Sequence, residues 1–142
     1  MDQTEILIAV AREAARYAYA PYSGFAVGAA LRTAGGEIVT GANLENASYG
    51  LSLCAETVAL GTANARGLLA EVVEVAVVGG TIGGAGTAPV RPCGRCRQML
   101  NEATQLGGRD LAIHCAGLTG GVRETHRLSA LLPLAFGPAD LA

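Results

Sequence analysis

Two short segments restrict the folds open to this chain, because their chemistry works only if they meet. Cys54-Ala55-Glu56 lies in the first half of the sequence, and Pro92-Cys93-Gly94-Arg95-Cys96 follows nearly forty residues later. Cys93 and Cys96 are three residues apart, so both sulfurs can face one point at the N-terminus of a helix. Cys54 lies at the start of another predicted helix, and the partial positive charge of helix N-termini favours thiolates. We therefore expect two helix starts to converge on one metal ion.

The residue types predict a catalytic zinc site. Three cysteine ligands leave one tetrahedral position open for water, and Glu56 follows Cys54 closely enough to act there as a general acid/base without binding the metal. A closed zinc site or a redox pair is the alternative, since Pro-Cys-x-x-Cys alone is compatible with both. A closed site needs a fourth ligand from Cys115, His114 or His126, none of which lies at tight motif spacing. We expect Cys115 to be a buried small hydrophobe and both histidines to be ordinary structural or surface residues.

The composition excludes several mechanisms and partners. All 10 basic residues among the 142 are arginines, so there is no Schiff-base lysine, no lysine-linked pyridoxal phosphate and no Walker A lysine. A net charge of −2 and 4% aromatic residues argue against a nucleic-acid partner. No apolar run reaches the ~18 residues of a membrane span, and the N-terminus lacks the basic segment of a signal peptide. We expect a single domain over residues 1–142, no membrane contact and a cytoplasmic location.

Hydrophobic periodicity predicts an α/β fold. Apolar residues at helical spacing indicate helices, and short apolar or alternating runs indicate strands. The predicted helices cover about 4–20, 53–66, 93–106 and 128–132, and the predicted strands cover 25–33, 37–41, 72–78, 110–115 and 122–126. The glycine-rich segment 79–92 lacks both the G-x-G-x-x-G spacing and the lysine of phosphate-binding loops, so we expect a flexible connection. The alternation predicts a three-layer α/β/α sandwich with a mixed, roughly five-stranded central sheet.

Further segments surround the cysteine motifs and carry a family resemblance. They are PYSGFAVGAAL at 21–31, GANLENASYG at 41–50, LCAE at 53–56, PCGRCRQ at 92–98, LLP at 131–133 and FGP at 136–138. Together they make nearly the whole chain resemble the small, homotetrameric cytidine deaminases of nucleoside salvage. The ligand-x-Glu and Pro-Cys-x-x-Cys pair is shared by the zinc deaminases generally, whereas the Asn-x-Glu-Asn and Phe-Gly-Pro segments are more specific to members that act on nucleosides.

The resemblance implies a cytidine deaminase-like fold, one Zn²⁺ per chain, and conversion of cytidine and deoxycytidine to uridine and deoxyuridine with release of ammonia. In that reading Asn43 and Glu45 hold the ribose hydroxyls, Phe25 packs on the pyrimidine or sugar, and the backbone around Ala55 reads the base carbonyl. The residues alone are also compatible with a solvated turn at Asn43 and Glu45 and with core packing of Phe25.

The resemblance also implies a homotetramer with shared active sites. In the family, each site includes residues from neighbouring subunits. The matching segments here are 47–49, which ends at Tyr49, and the C-terminal Phe136.

One position departs from the family pattern. Many members with three cysteine ligands have an arginine directly after the catalytic glutamate, where it offsets thiolate charge, and this chain has Thr57. Three thiolates and Zn²⁺ sum to a negative charge, which weakens the activation of water. We expect Arg95 or Arg97, on the same predicted helix as Cys96, to supply the offset.

Two other functions share parts of these motifs. Blasticidin S deaminase has the zinc motif and the Cys-Gly-Arg-Cys-Arg-Gln run and acts on a modified cytosine nucleoside. The Asn-Leu-Glu-Asn segment and the Phe-Gly-Pro terminus favour ordinary cytidine instead. A non-catalytic zinc-binding module is the alternative from a different class, and substitution of Glu56 separates it from an enzyme.

Overall fold

The chain alternates helices and strands in the predicted order. The computed structural model describes all 142 residues. Its α-helices are α1 (Gln3–Ala15), α2 (Ala55–Ala65), α3 (Gly94–Gly107) and α4 (Leu128–Leu131), and its strands are β1 (Phe25–Thr33), β2 (Ile38–Ala42), β3 (Val72–Thr81), β4 (Ala112–Gly117) and β5 (Arg123–Arg127). Short 3₁₀ turns occupy Tyr49–Leu51, Leu69–Glu71 and Pro138–Leu141. None of the helices combines the length and the apolar content needed to cross a bilayer.

The five strands form one mixed sheet in the order β2-β1-β3-β4-β5. Only β3 and β4 pair in parallel, and α3 makes the crossover between them. Side chains alternate between the two faces, so Ala30 and Ala76 pack with α1 while Leu31 and Val75 join the cluster that contains residues of α2 and α3. The predicted three-layer sandwich with a mixed five-stranded sheet is confirmed.

Helix α1 has a capped N-terminus and packs in close contact with the sheet. The Asp2 carboxylate accepts from the Glu5 backbone amide at 2.8 Å, and Glu5 accepts from the Asp2 amide at 3.0 Å, which completes a capping box. Where α1 crosses β1, a Cβ atom on Gly28 would lie 2.0 Å from the carbonyl oxygen of Ala11. Glycine is therefore needed for the helix backbone to reach the strand.

The end of α1 corrects one prediction. The helix ends at Ala15, not near Ala20, and the residues that follow pair with the segment after β2. The Tyr19 amide donates to the Asn43 carbonyl, and the Tyr19 carbonyl accepts from the Glu45 amide, both at 2.9 Å. These long-range bonds replace the last helical turn, and they fix the backbone on both sides of Leu44, between Asn43 and Glu45.

Helix α2 lies in direct backbone contact with β2. A Cβ atom on Gly41 would lie 2.4 Å from the carbonyl oxygen of Ala55 and 2.6 Å from the backbone nitrogen of Ala59. Because Ala55 is the first residue of α2, this contact sets the height of the N-terminus of α2 above the sheet. Gly41 thus helps to position Cys54 and Glu56.

Strand β3 is longer than predicted. Gly79 and Gly80, placed in the flexible connection by the sequence pattern, pair with Val27 and Ala26 of β1. Hydrogen bonds to a neighbouring strand hold these glycines extended, an effect that local composition does not reveal. The irregular connection therefore begins at Ile82.

Candidate active site

The three motif cysteines converge at the starts of two helices. Cys54 is the N-cap of α2, Cys93 is the N-cap of α3, and Cys96 is in the first turn of α3. Their sulfurs all lie within 4.8 Å of one another, and those of Cys54 and Cys93 are 3.9 Å apart. Tetrahedral zinc with Zn–S bonds of about 2.3 Å requires sulfurs about 3.8 Å apart. The donor set therefore fits zinc.

No fourth protein ligand completes the cluster. His114 Nδ1 contacts Thr125 Oγ1 at 2.9 Å, and His126 Nε2 contacts Glu124 at 3.0 Å. Cys115 is fully buried in β4, and burial raises the pKa of its thiol to about 11. The position opposite the three sulfurs is left for a water molecule or a substrate atom, as in catalytic sites.

The three thiols have different electrostatic surroundings. Burial opposes ionisation of Cys93, but the Cys96 backbone amide and hydrogen bonds with the Cys96 and Cys54 thiols outweigh it and lower the pKa of Cys93. Burial raises the pKa of Cys54. Burial, with the nearby negative charge of Glu56 and Cys54, also raises the pKa of Cys96. A divalent cation among the sulfurs would supply the positive charge that two of these thiolates lack.

Glu56 lies beside the cluster in the first turn of α2 and is only 3% exposed. Burial raises the pKa of its carboxyl group, against the opposing effect of hydrogen bonds from its own backbone amide and from Cys96. A raised pKa makes a carboxyl group better suited to a general acid/base, which must both accept and return a proton.

A cavity of about 290 Å³ opens beside the cluster. Its wall contains five of the residues singled out from the sequence besides the cysteines. They are Phe25, Asn43, Glu45, Ala55 and Glu56, and they are joined by Val27, Ser52, Leu53, Cys54, Val90, Arg91 and Cys93. The structure thus brings Cys54, Cys93, the buried carboxyl group and the polar pair around one space.

Asn43 and Glu45 are held firmly by the rest of the chain. Asn43 Nδ2 donates to the Phe25 carbonyl at 2.8 Å, and its Oδ1 accepts from the Val27 amide at 2.9 Å. Glu45 Oε1 accepts from the amides of Tyr22 and Ser23, and its Oε2 accepts from the Ser23 hydroxyl. The Ser23 hydroxyl is the main cause of the lowered pKa of Glu45. The carboxylate therefore stays ionised in a fixed orientation.

Tyr49 and Phe136 lie outside this cavity. Tyr49 is 72% exposed and packs against Tyr22, with ring centroids 5.5 Å apart. Phe136 is 56% exposed, while its carbonyl accepts from Gln98 and Asn101 of α3. Neither side chain reaches the cavity of its own chain.

Arg95 and Arg97 are not directed at the cysteines. Arg95 is exposed and makes no side-chain hydrogen bond, whereas Arg97 donates to the carbonyls of Pro92 at 2.8 Å and Leu131 at 3.0 Å. Neither guanidinium donates to a ligand sulfur. Their role in offsetting thiolate charge stays a prediction without a contact to support it.

Arg91 is a lining residue that the sequence analysis missed. Its guanidinium makes two bonds to the Glu124 carboxylate, at 2.9 and 2.6 Å. This pair ties the irregular segment before Cys93 to β5. The available signal was its place directly before Pro92, but the partner on β5 is visible only in three dimensions.

A site of three sulfurs with one open position and a buried carboxyl group defines the chain as a metal-dependent hydrolase. Comparison with known proteins identifies the family of hydrolases. Residues 1–106 match the cytidine and deoxycytidylate deaminase zinc-binding region. The chain therefore belongs to the cytidine and deoxycytidylate deaminase family.

Individual relatives match almost end to end. The chain is 44% identical over 141 residues to a cytidine deaminase of Halalkalibacterium halodurans, covering 99% of this chain and 98% of that protein. It is 44% identical over 131 residues to a cytidine deaminase of Mycobacterium tuberculosis, covering 92% and 87% respectively. The crystal structure of cytidine deaminase from Burkholderia pseudomallei superimposes with a TM-score of 0.82 at 43% identity, covering 96% of this chain and 100% of that one. The alternatives of a blasticidin S deaminase and of a non-catalytic module find no support in these matches.

Proposed function

We propose that this chain catalyses the hydrolytic deamination of cytidine and deoxycytidine to uridine and deoxyuridine, with release of ammonia. The observation that carries the proposal is the clustering of Cys54, Cys93 and Cys96 beside a cavity that the buried Glu56 also lines. The relatives that match nearly end to end are cytidine deaminases, which supports the same substrate class.

The proposed chemistry divides between the metal and the chain. One zinc ion per chain, held by the three sulfurs, would supply a Lewis acid that activates water for attack on C4 of cytosine. Glu56 accepts the two protons of the attacking water in turn and delivers one to the ring nitrogen and the other to the leaving amino group. A C4–O bond forms, the bond from C4 to the exocyclic amino nitrogen breaks, and one water is consumed for each ammonia released. The raised pKa of Glu56 suits both transfers.

The sugar contacts follow from unused hydrogen-bonding capacity. Asn43 Nδ2 has one free hydrogen, since its other hydrogen goes to the Phe25 carbonyl. Glu45 Oε1 already accepts two bonds, while Oε2 accepts one and has room for another. A single sugar hydroxyl can therefore accept from Asn43 and donate to Glu45. One hydroxyl is enough for both cytidine and deoxycytidine, while Phe25 offers a ring edge or face to the base or sugar.

We also propose that the enzyme is a homotetramer with shared active sites. Tyr49 and Phe136 are large, exposed and outside their own cavity, as expected for side chains that complete a neighbouring subunit's site. A cytoplasmic location is supported by the four free cysteines, because three of them must stay reduced to bind a metal. Sedimentation equilibrium of the purified protein tests the tetramer.

The test of function follows the ultraviolet absorbance of cytidine after addition of the zinc-loaded protein. We expect conversion to the uridine spectrum, and Glu56→Gln should lower kcat by about 10²–10⁴-fold through loss of the general acid/base while keeping the metal. Glu102→Gln, a change at an exposed carboxylate of α3, serves as the matched control and should keep full activity. Wild-type protein that holds zinc but leaves cytidine and deoxycytidine unchanged would refute the substrate. Undiminished turnover by Glu56→Gln would refute the proton role.

A further inference from the structure

The two helix starts at the metal position are arranged alike, with one difference. Cys54 and Cys93 are the N-caps of α2 and α3. The third residue of α3 is the ligand Cys96, and the third residue of α2 is Thr57. The side chains of these two third residues lie close together, with Thr57 Oγ1 3.8 Å from Cys96 Sγ. Thr57 therefore occupies the place that corresponds to a metal ligand, with a hydroxyl group in place of a thiol.

The Thr57 hydroxyl contacts the most secluded of the three sulfurs. Its Oγ1 lies 3.8 Å from Cys96 Sγ, and Cys96 is fully buried. Water cannot reach that sulfur, so besides a metal ion only donors from the protein can stabilise a negative charge there. Neither arginine of α3 contacts this sulfur, because Arg97 donates to two carbonyl oxygens and Arg95 is exposed without a hydrogen-bonding partner.

A second threonine in α2 has a different hydroxyl partner. Thr62 donates its hydroxyl to the Val58 carbonyl one turn earlier at 2.8 Å, as threonines in helices commonly do. Thr57 makes no such bond to its own helix, and its hydroxyl has Cys96 Sγ as its only hydrogen-bonding partner. The proton of Thr57 is thus available to the sulfur.

We propose that Thr57 is a positioning residue of the metal site, whose hydroxyl donates to the Cys96 thiolate and thereby strengthens zinc binding and withdraws charge from the sulfur. The inference rests on the proposed function insofar as that function places zinc on the three cysteines. It assigns the offset of thiolate charge to a neutral donor on α2 rather than to an arginine on α3.

The test compares zinc affinity in Thr57→Val, Thr57→Ser and Thr62→Val, measured by competition with a chromophoric chelator at one pH. Loss of a partner that hydrogen-bonds a metal ligand typically costs about 10–100-fold in affinity, so we expect that loss in Thr57→Val. Thr57→Ser keeps the hydroxyl and should restore affinity to near the wild-type value. Thr62→Val should match the wild type. Thr57→Ala is the second hydroxyl-free variant should valine disturb the helix.

A spectroscopic measurement separates charge withdrawal from packing. In the cobalt-substituted protein, loss of the hydrogen bond should move the sulfur-to-cobalt charge-transfer band to lower energy in Thr57→Val and Thr57→Ala, and Thr57→Ser should return it. If both hydroxyl-free variants bind zinc as tightly as Thr62→Val with an unchanged band, the proposal is wrong. That outcome leaves deamination by the wild-type protein intact, whereas a wild type that binds zinc without turnover contradicts only the proposed function.

Discussion

Gly41→Ala should disturb the active site by pushing the backbone of α2 away from β2. The added Cβ would lie 2.4 Å from the Ala55 carbonyl oxygen and 2.6 Å from the Ala59 nitrogen. An ordinary contact is about 3.4 Å or longer, so the start of α2 must move by about 1 Å from β2. Both contacting atoms belong to backbone, so no side-chain rotation can relieve the clash.

The size of the effect follows from that displacement. Overpacking of this kind costs about 1–3 kcal/mol of unfolding free energy. Because α2 positions Cys54 and Glu56 while α3 positions the other two ligands, the same shift separates the two halves of the site. A misplacement of about 1 Å can lower kcat/KM by about 100-fold. Zinc affinity should fall together with activity.

Gly61→Ala is the matched control for Gly41→Ala. Gly61 is an exposed residue of α2, and a Cβ there would meet nothing within 4 Å. Alanine in that position should stabilise the helix by about 1 kcal/mol and leave kcat/KM unchanged. Denaturant unfolding and cytidine turnover are measured for both variants. If Gly41→Ala keeps wild-type stability and kcat/KM, the close seating of α2 on β2 does not position the site.

Two further predictions concern stability away from the metal. Asp2→Ala removes the capping box with Glu5 and should lower the unfolding free energy by about 1 kcal/mol, as measured in urea, without a change in kcat. Burial is the main cause of the lowered pKa of His114, only partly opposed by Glu74. The unfolded chain therefore binds a proton that the folded chain resists, so the unfolding free energy should decrease as pH falls through the ordinary histidine pKa of about 6.5. His114→Gln should flatten this dependence in denaturant titrations between pH 5 and 7; a slope equal to that of the wild type would contradict the assignment.

The features that sequence could predict are those that local chemistry determines. Periodicity gave the order of the helices and strands, and the spacing of Cys93 and Cys96 indicated a shared helix start. The misplaced boundaries have non-local causes. Tyr19 leaves the helical pattern because its backbone pairs with residues 43–45, and β3 reaches Thr81 because β1 supplies partners for its glycines.

The same limit applies to the site. The sequence singled out Asn43 and Glu45. Their hydrogen-bonding capacity left for a substrate depends on tertiary structure, because it is reduced by existing bonds to Phe25, Val27, Tyr22 and Ser23. Arg97 was selected for its charge and proximity in sequence, yet its guanidinium satisfies the carbonyls of Pro92 and Leu131. Side-chain direction, and not residue type, decides such roles.

Cysteine is the N-cap of both α2 and α3, where it offers a metal ligand but caps the helix poorly. Neither Cys54 nor Cys93 makes a capping hydrogen bond with its side chain, so the first amides of each helix lack the oxygen partner that serine or aspartate would provide. Such a cap is worth about 1 kcal/mol per helix. A sequence optimised for folding alone would place oxygen at both positions and would lose the metal. The starts of α2 and α3 therefore lack cap stability where the chain offers metal ligands, and a bound ion would return part of it.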